Sequence, residues 1–265
     1  MAKIKVMVNG ATGKMGRAMS AGIAKADDLE LVAATDIRLG GVDLGSLCGL
    51  DPLGVVIEED LSEAIEKHRP EVMVDFTNAQ AVVKNLPLAL AQQVACVVGT
   101  TGLGDKEKDE LKTLCAKHAT PAFVASNFAI GAVLMMQFAK EAAAYFPHVE
   151  VIEKHHDQKI DAPSGTALST LDKIAEVRDV FVQGLPNEYE KIPGSRGGDY
   201  QGMRVHSLRL PGYVASQEVV FGGEGQILRI VHEAMNRDSF LPGVLLAIRK
   251  VRNLKGLVFD LENIM

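Results

Sequence analysis

The chain has 265 residues, of which 47% are hydrophobic and 23% charged, and its formal net charge is −6. This length can form one large domain or two modest ones, and the acidic balance without a dense Lys/Arg tract argues against nucleic acid as a partner. No apolar segment is long enough to cross a membrane, the N-terminus lacks a signal-peptide pattern, and three scattered cysteines suit a reducing compartment, so we expect a cytoplasmic protein.

The first half of the chain alternates short apolar runs with amphipathic stretches. The predicted strands are residues 4–8, 29–35, 72–76, 94–98 and 122–125. The predicted helices are residues 14–26, 61–68, 79–92 and 106–118. This alternation is typical of βαβ units and predicts an α/β fold with a parallel sheet.

The pattern changes after about residue 128. We predict helices at 130–145, 164–175 and 240–251, and strands at 149–153, 204–210, 216–221, 226–232 and 257–261. Turn signals at Pro211-Gly212 and Gly222-Gly223 predict hairpins in an antiparallel or mixed sheet. The polar stretch 184–201 is predicted to be a long surface loop.

A glycine-rich turn directly follows the first predicted strand. Gly10, Gly13 and Gly16 are spaced GxxGxxG and enclose Ala11, Thr12, Lys14 and Met15. Such glycines permit a tight turn and close approach of the backbone to a pyrophosphate at the N-terminus of a helix. The alternative is a purely structural turn. The acid Asp36, at the end of the second strand, favours dinucleotide binding because it can accept hydrogen bonds from ribose hydroxyls.

Asp36 also bears on the choice of cofactor. A carboxylate repels a 2′-phosphate at contact distance by about 1–4 kcal/mol. Position 37 is Ile, and Arg38 is near enough to offset part of this repulsion. We therefore predict that NADH is preferred and that NADPH is used to some extent.

Three further segments follow predicted strands, where ligands bind in open α/β sheets. Each is compatible with an ordinary turn, but together they favour a cofactor site. They are Phe76-Thr77, Gly99-Thr100-Thr101 and Ala125-Ser126-Asn127-Phe128.

The run from Glu153 to Ala167 is unusually rich in side chains that can transfer protons or bind anions. His155 suits general acid catalysis, and His156 faces another direction if the segment is extended. Lys159 supplies a cation, and Ser164 can cap a helix whose first amides, at Gly165 and Thr166, bind an anion such as a carboxylate. The acids Glu153 and Asp161 are interpreted as supports for their basic neighbours.

A metal site and ordinary surface roles are the alternatives for this run. His155, His156 and Asp157 are possible metal ligands, as are the distant His206 and His232. The nearby Lys159 disfavours a cation and no paired-ligand spacing recurs, so no metal is predicted.

Taken together, these residues match a known family. The chain resembles the 4-hydroxy-tetrahydrodipicolinate reductase (dihydrodipicolinate reductase) family in the whole 153–167 run and in segments 10–17, 99–101, 125–128, 196–198 and 232–240. The resemblance implies a Rossmann-like dinucleotide-binding domain (1–128 plus 240–265) and a second α+β domain (129–239) that binds substrate and assembles a homotetramer.

The resemblance also implies roles for individual residues. His155 is implied as the proton donor and Lys159 as a catalytic or substrate-gripping residue, with His156, Gly165 and Thr166 as contacts to the substrate's carboxylates. The implied reaction, in diaminopimelate and lysine biosynthesis, transfers hydride from the nicotinamide to C4 of a cyclic unsaturated dicarboxylate. The 4-hydroxyl is lost as water in this reaction, and protonation at a neighbouring carbon completes the reduction. One alternative is another two-domain NAD(P) oxidoreductase that acts on a different acid. A second is a non-catalytic NAD-binding sensor, which the presence of His155 and Lys159 disfavours.

Overall fold

A computed structural model describes residues 2–100 and 102–265. The predicted cofactor residue Thr101 lies outside the described residues. The chain divides into two compact units, the first comprising residues 1–128 and 237–265 and the second residues 129–236. Among the residues that the structure describes, no helix combines the length and apolar character needed to cross a membrane.

The first unit alternates strands and helices along the chain. Its elements up to residue 128 are β1 (Ile4–Asn9), α1 (Lys14–Ala24), β2 (Leu29–Thr35), α2 (Leu44–Leu47), β3 (Ile57–Glu58), α3 (Leu61–His68), β4 (Val72–Asp75), α4 (Ala79–Ala91), β5 (Ala95–Val98), α5 (Asp105–His118) and β6 (Ala122–Val124). Sequence patterns missed only the short α2 and β3 here, which carry too few residues for a periodic signal.

The second unit and the return to the first complete the chain. The second unit contains α6 (Ile130–Ala143), β7 (His148–His155), α7 (Gly165–Ala175), β8 (Gly198–Tyr200), β9 (Met203–Arg209), β10 (Ala215–Gly223) and β11 (Gln226–Ala234). The chain then adds α8 (Leu241–Val251) and β12 (Leu257–Phe259) to the first unit.

The first unit is built on a seven-stranded sheet of order β12-β6-β5-β4-β1-β2-β3, in which every pair is parallel. Strand order reverses beside β1, which is the arrangement of doubly wound nucleotide-binding folds. The central strands are covered on both faces, so Val6, Met7 and Val8 are fully buried. The predicted α/β fold class is confirmed.

The second unit is built on a five-stranded mixed sheet of order β11-β10-β7-β9-β8. Strand β7 pairs in parallel with β9 and antiparallel with β10. The helices α6 and α7 contact this sheet. Along β7 the buried residues Val149, Val151 and Glu153 alternate with half-buried ones, as expected for a sheet covered on one face.

One predicted hairpin is wrong. The turn at Pro211-Gly212 does not join neighbouring strands, because β7 lies between β9 and β10. A turn signal reports that the chain reverses, whereas pairing depends on which strand fits between its neighbours. The second predicted hairpin is confirmed, since β10 and β11 pair, but its two-residue turn falls at Glu224-Gly225, whereas the predicted Gly222-Gly223 ends β10. The predicted loop 184–201 also contains β8, which pairs with β9.

Candidate active site

The glycine turn lies between β1 and α1. Gly10 has a φ of +78°, and a Cβ there would lie 2.8 Å from the carbonyl oxygen of Phe76. A Cβ on Gly16 would lie 2.2 Å from the carbonyl oxygen of Gly10. Gly13 begins the helix and offers no side chain to cap it. The turn therefore presents an uncapped helix N-terminus, where a negatively charged group binds favourably.

Asp36 directly follows β2 and is buried beside this turn. Its Oδ2 accepts hydrogen bonds from the amide of Thr12 at 3.0 Å and the hydroxyl of Thr12 at 2.7 Å. Its Oδ1 accepts one from the amide of Arg38 at 3.1 Å. Burial raises the pKa of Asp36, but these hydrogen bonds outweigh it and hold the pKa below its usual value. The carboxylate is therefore charged at neutral pH.

A cavity of about 550 Å³ opens at this edge of the sheet. Five of the predicted cofactor residues line it, namely Gly10, Gly13, Asp36, Phe76 and Thr77. Eight further residues line it, namely Asn9, Ile37, Arg38, Glu59, Leu61, Asn78, Ala81 and Asn85. The residues present suit a dinucleotide, since the turn has no room for a Cβ at Gly10 and an ionised acid stands where ribose hydroxyls need an acceptor.

The other predicted cofactor residues lie at the ends of neighbouring strands without lining this cavity. Ala11 and Thr12 follow β1, Lys14 and Met15 begin α1, Gly99 and Thr100 follow β5, and Ala125, Ser126, Asn127 and Phe128 follow β6. Because all these strands are parallel, their carboxyl ends share one edge of the sheet.

Aromatic rings connect three of these strand ends. A Cβ on Gly99 would lie 2.1 Å from the ring of Phe76, so the absence of a side chain at position 99 lets that ring pack. The Phe76 and Phe128 rings contact edge to face at 6.2 Å between centroids, and Phe128 contacts Phe123 at 6.0 Å. The loops after β4, β5 and β6 are therefore packed as one surface.

Asp75, the last residue of β4, is a buried acid that the sequence analysis missed. Its Oδ2 accepts hydrogen bonds from the side-chain amides of Asn9 at 2.8 Å and Asn85 at 3.1 Å. Its Oδ1 accepts from the amide of Thr77 at 2.9 Å and the hydroxyl of Thr77 at 2.6 Å, with Thr100 at 3.5 Å. This network ties β1 to the loops after β4 and β5. An acid ending an otherwise apolar strand was the available signal.

In the second unit, the end of β7 carries a buried acid beside the predicted proton donor. Glu153 is fully buried, and its Oε2 lies 2.5 Å from Nδ1 of His155. Arg209 of β9 donates to both Glu153 oxygens, at 2.7 and 2.9 Å. Burial raises the pKa of Glu153, but hydrogen bonds from His155, Arg209 and Ser207 outweigh it and lower the pKa to about 2.

The loop after β7 carries Lys159 and is held by the same arginine. Lys159 Nζ donates to both carboxylate oxygens of Asp161, at 2.7 and 2.9 Å, which lowers the pKa of Asp161. Arg209 donates to the main-chain oxygen of Asp161 at 2.8 Å. The lysine amide donates to the carbonyl of His156 at 3.2 Å. The guanidinium of Arg209 therefore links β9 to Glu153 and to the loop that carries Lys159.

Helix α7 begins close in sequence to this loop. The Ser164 hydroxyl caps it by accepting from the amide of Ala167 at 3.2 Å, while the Ser164 amide donates to Glu153 Oε1 at 3.3 Å. A Cβ on Gly165 would meet nothing within 4 Å, so the first turn is open on that side. Farther along, the Thr170 hydroxyl donates to the carbonyl of Thr166 at 2.7 Å.

The second unit thus joins Glu153 directly to His155 and Ser164, and Lys159 to Asp161. Arg209 is the residue of this unit that the sequence did not predict. It stands 56 positions from Glu153, and no local pattern marks it. No group of three or more His, Cys, Asp or Glu side chains arranged to hold a metal occurs in residues 2–100 and 102–265.

The doubly wound sheet, the glycine turn and the ionised Asp36 define a nucleotide-binding α/β enzyme. Family models described as dihydrodipicolinate reductase match residues 4–128 with their N-terminal part and 131–265 with their C-terminal part. The chain belongs to the dihydrodipicolinate reductase family. Its first unit is the nucleotide-binding domain of that family, and a reductase of this kind implies a nicotinamide cofactor.

Individual relatives agree with this assignment. The 4-hydroxy-tetrahydrodipicolinate reductase of Desulfitobacterium hafniense is 54% identical over 100% of both chains. That of Moorella thermoacetica is 55% identical over 100% of this chain and 99% of its own. A dipicolinate-bound dihydrodipicolinate reductase from Paenisporosarcina sp. TG-14 superposes with a TM-score of 0.88 at 44% identity, covering 99% of this chain and 100% of its own. The predicted family is confirmed.

Proposed function

We propose that this protein reduces 4-hydroxy-tetrahydrodipicolinate to tetrahydrodipicolinate in diaminopimelate and lysine biosynthesis. Full-length relatives of 54% and 55% identity carry this reductase name, which supports the role predicted from the sequence. The observation that carries the proposal is the grouping of an imidazole, a lysine and an open helix N-terminus around the end of β7. A small dianionic substrate needs both cationic contacts and a proton donor.

The proposed reaction consumes one hydride and one proton and releases water. When bound, a nicotinamide dinucleotide supplies the hydride that reduces C4 of the substrate as the 4-hydroxyl leaves. The protein's part is to hold the dicarboxylate and to deliver the proton. In the first unit, Gly10, Gly13 and the start of α1 would hold the pyrophosphate, and Asp36 would accept the ribose hydroxyls.

Carboxylate binding is assigned to the loop after β7 and the first turn of α7. Lys159 is paired with the exposed carboxylate of Asp161, which a substrate carboxylate can replace as a partner of the ammonium group. The amides of Gly165 and Thr166 lie at the positive end of α7, where a carboxylate is favoured. His156, the first residue of the loop after β7, is assigned to the same task.

Proton delivery is assigned to His155. Its Nδ1 is occupied by Glu153, so Nε2 is the nitrogen left to face a substrate. A histidine is the side chain that changes charge near neutral pH, which suits general acid catalysis.

We propose that NADH is the preferred cofactor and that NADPH is also accepted. Asp36 is ionised and lines the cavity, so a 2′-phosphate placed beside it would be repelled. Arg38 also lines the cavity, and its side chain is 66% exposed. It can therefore turn toward a phosphate and offset part of the repulsion.

We also propose a homotetramer assembled through the sheet of the second unit. Ile227 and Val231 of β11 are 63% and 51% exposed, on the face opposite His232, which lies against α6. Exposed apolar side chains on an open sheet face suit contact with a second copy of the chain. Light scattering should give the mass of four chains, and Ile227→Lys with Val231→Lys should lower it. A monomeric wild type would contradict the proposal.

A cytoplasmic location is proposed from the thiols. Cys48, Cys96 and Cys115 are all free, and burial raises the pKa of Cys115 to about 11. Protonated buried thiols of this kind suit a reducing compartment.

The proposed activity is tested by following the absorbance of NADH. Freshly generated 4-hydroxy-tetrahydrodipicolinate should cause rapid oxidation of NADH, whereas common oxo acids should not. Controls omit the enzyme or the substrate. Oxidation with an oxo acid alone would favour a different dehydrogenase, and NADH binding without any turnover would favour a non-catalytic sensor.

A further inference from the structure

Glu153 occupies an unusual position for an acid. It is fully buried, two residues before His155 on the same strand, so both side chains lie on one face of the sheet. Arg209 grips it in a bidentate pair, and the amide of Ser164 donates to Oε1. These donors hold the carboxylate in place, and Oε2 is left as the oxygen beside the imidazole.

The direction of the hydrogen bond follows from the charge on the acid. Both oxygens of Glu153 accept hydrogen bonds from the Arg209 guanidinium, and Oε1 also accepts one from the Ser164 amide, so the carboxylate is ionised and His155 Nδ1 must be the donor. This holds for the neutral ring and for the imidazolium. The hydrogen that is gained and lost is then the one on Nε2.

We infer that Glu153 is a positioning residue for the reaction proposed above: its carboxylate fixes the His155 ring with a hydrogen on Nδ1 in both protonation states and leaves the transferable proton on Nε2. Arg209 balances the charge of Glu153. The task of the carboxylate is therefore to orient the ring and select its tautomer, more than to add negative charge to the site. The inference rests on the proposed function only for its kinetic consequence.

A glutamine at position 153 tests this task. Its oxygen would remain where Ser164 and Nη2 of Arg209 both donate, because neither of these groups can accept. Its NH₂ group would then lie beside His155 Nδ1 and Nη1 of Arg209, and Nη1 would lose its acceptor. An NH₂ group donates, so Nδ1 would have to accept and the neutral ring would carry its hydrogen on Nε2. The imidazolium, which needs hydrogens on both nitrogens, would lose its partner.

A matched control lies three residues earlier on the same strand. Glu150 accepts from Arg196 at 2.8 Å and lies 2.8 Å from Nε2 of His206, so it too joins an arginine and a histidine. It belongs to neither proposed binding site. Glu150→Gln therefore makes the same chemical change in the same strand without touching His155.

The first measurement is steady-state kinetics. Glu153→Gln should lower kcat by about a hundredfold, the scale of losing an oriented general acid, while KM for NADH stays within about threefold of wild type. Glu150→Gln should retain wild-type kcat. A Glu153→Gln enzyme within about threefold of wild-type kcat would overturn the inference.

The second measurement is ¹⁵N NMR of the imidazole nitrogens, with His155 assigned by the resonance that disappears in His155→Gln. Wild type should show a hydrogen on Nδ1 of the neutral ring, and Glu153→Gln should show it on Nε2. A wild-type ring with its hydrogen on Nε2 would also overturn the inference, even if Glu153→Gln fails to fold. A wild type that turns over no substrate would refute the proposed function alone, because the spectrum still decides the tautomer.

Discussion

Asp75 in the first unit and Glu153 in the second are both fully buried acids near the ends of strands. Their partners differ in kind. Asp75 is surrounded by neutral donors from Asn9, Asn85, Thr77 and Thr100. Glu153 is held by the cationic Arg209 and by His155. Neutral amides and hydroxyls do not exchange protons near neutral pH, whereas an imidazole does.

The comparison separates two ways of using a buried acid. The Asp75 network fixes loops at the edge of the nucleotide sheet, so its loss should act on cofactor binding. The Glu153 cluster presents an ionisable ring, so its loss should act on turnover. Cofactor binding and chemistry should therefore divide between the two units.

The largest expected effect is on turnover. His155→Ala and Lys159→Ala should each lower kcat at least about a hundredfold because they remove the proposed proton donor and the proposed carboxylate contact. NADH affinity, measured by fluorescence titration, should stay within about twofold because both residues lie outside the nucleotide unit. Lys117→Ala, an exposed change on α5, is the control. Near-normal turnover in either variant would remove that residue from the mechanism.

The next effect is on nucleotide binding. Gly10→Ala places a methyl group 2.8 Å from the carbonyl oxygen of Phe76 at a φ of +78°, so the turn must move. NADH affinity should fall by about tenfold or more, as for loss of a helix-terminal phosphate contact of about 1.4 kcal/mol or more. Gly54 has a similar φ of +70°, but a Cβ there would meet nothing within 4 Å. Gly54→Ala should therefore cost about 1–2 kcal/mol of stability without weakening the binding of NADH. Equal losses of NADH affinity in both variants would show that backbone strain alone causes the effect.

A smaller effect concerns cofactor choice. Asp36→Asn removes the charge near the ribose, so the ratio of kcat/KM for NADPH to that for NADH should rise about tenfold. Glu59→Gln neutralises another acid that lines the same cavity and should leave the ratio unchanged. Wild-type efficiency that is equal or better with NADPH would refute the preference itself.

The smallest effect is on stability at low pH. The pKa of Glu153 is lowered from about 4.5 to about 2, so its stabilising contribution is complete above pH 4.5 and is lost as pH falls toward 2. One such proton changes the free energy of unfolding by at most about 1.4 kcal/mol per pH unit. Urea titrations across this window should give a flatter pH dependence for Glu153→Gln than for wild type. Parallel curves would show that Glu153 is equally acidic in the unfolded chain.

Much of the fold follows from the sequence because its signals are local. The alternation of apolar runs and amphipathic stretches predicted the parallel sheet, and the glycine spacing predicted the turn between β1 and α1. The Gly222-Gly223 signal predicted the hairpin of β10 and β11 correctly and placed its turn two residues too early. The Pro211-Gly212 signal misled because β7 inserts between two strands that are near in sequence, and strand order depends on the packing of the whole sheet.

The sites likewise combine residues that are close together in the sequence with partners that are far apart in it. His155, Lys159 and Ser164 fall within one short run, so the sequence alone singled them out. The partners that set their chemistry come from elsewhere, since Arg209 reaches Glu153 across 56 positions and Asn9 reaches Asp75 across 66. Hydrogen bonds between strands leave no periodic trace in a single sequence.

The sequence by itself determined the family, the two kinds of unit and the run of residues that we propose as the substrate site, because these depend on spacing along the chain. Only the tertiary structure decided which oxygen of Glu153 meets His155 and which donors surround Asp75. A carboxylate's ionisation and a histidine's tautomer are set by the groups within hydrogen-bonding distance. Folding, and not order along the chain, chooses those groups.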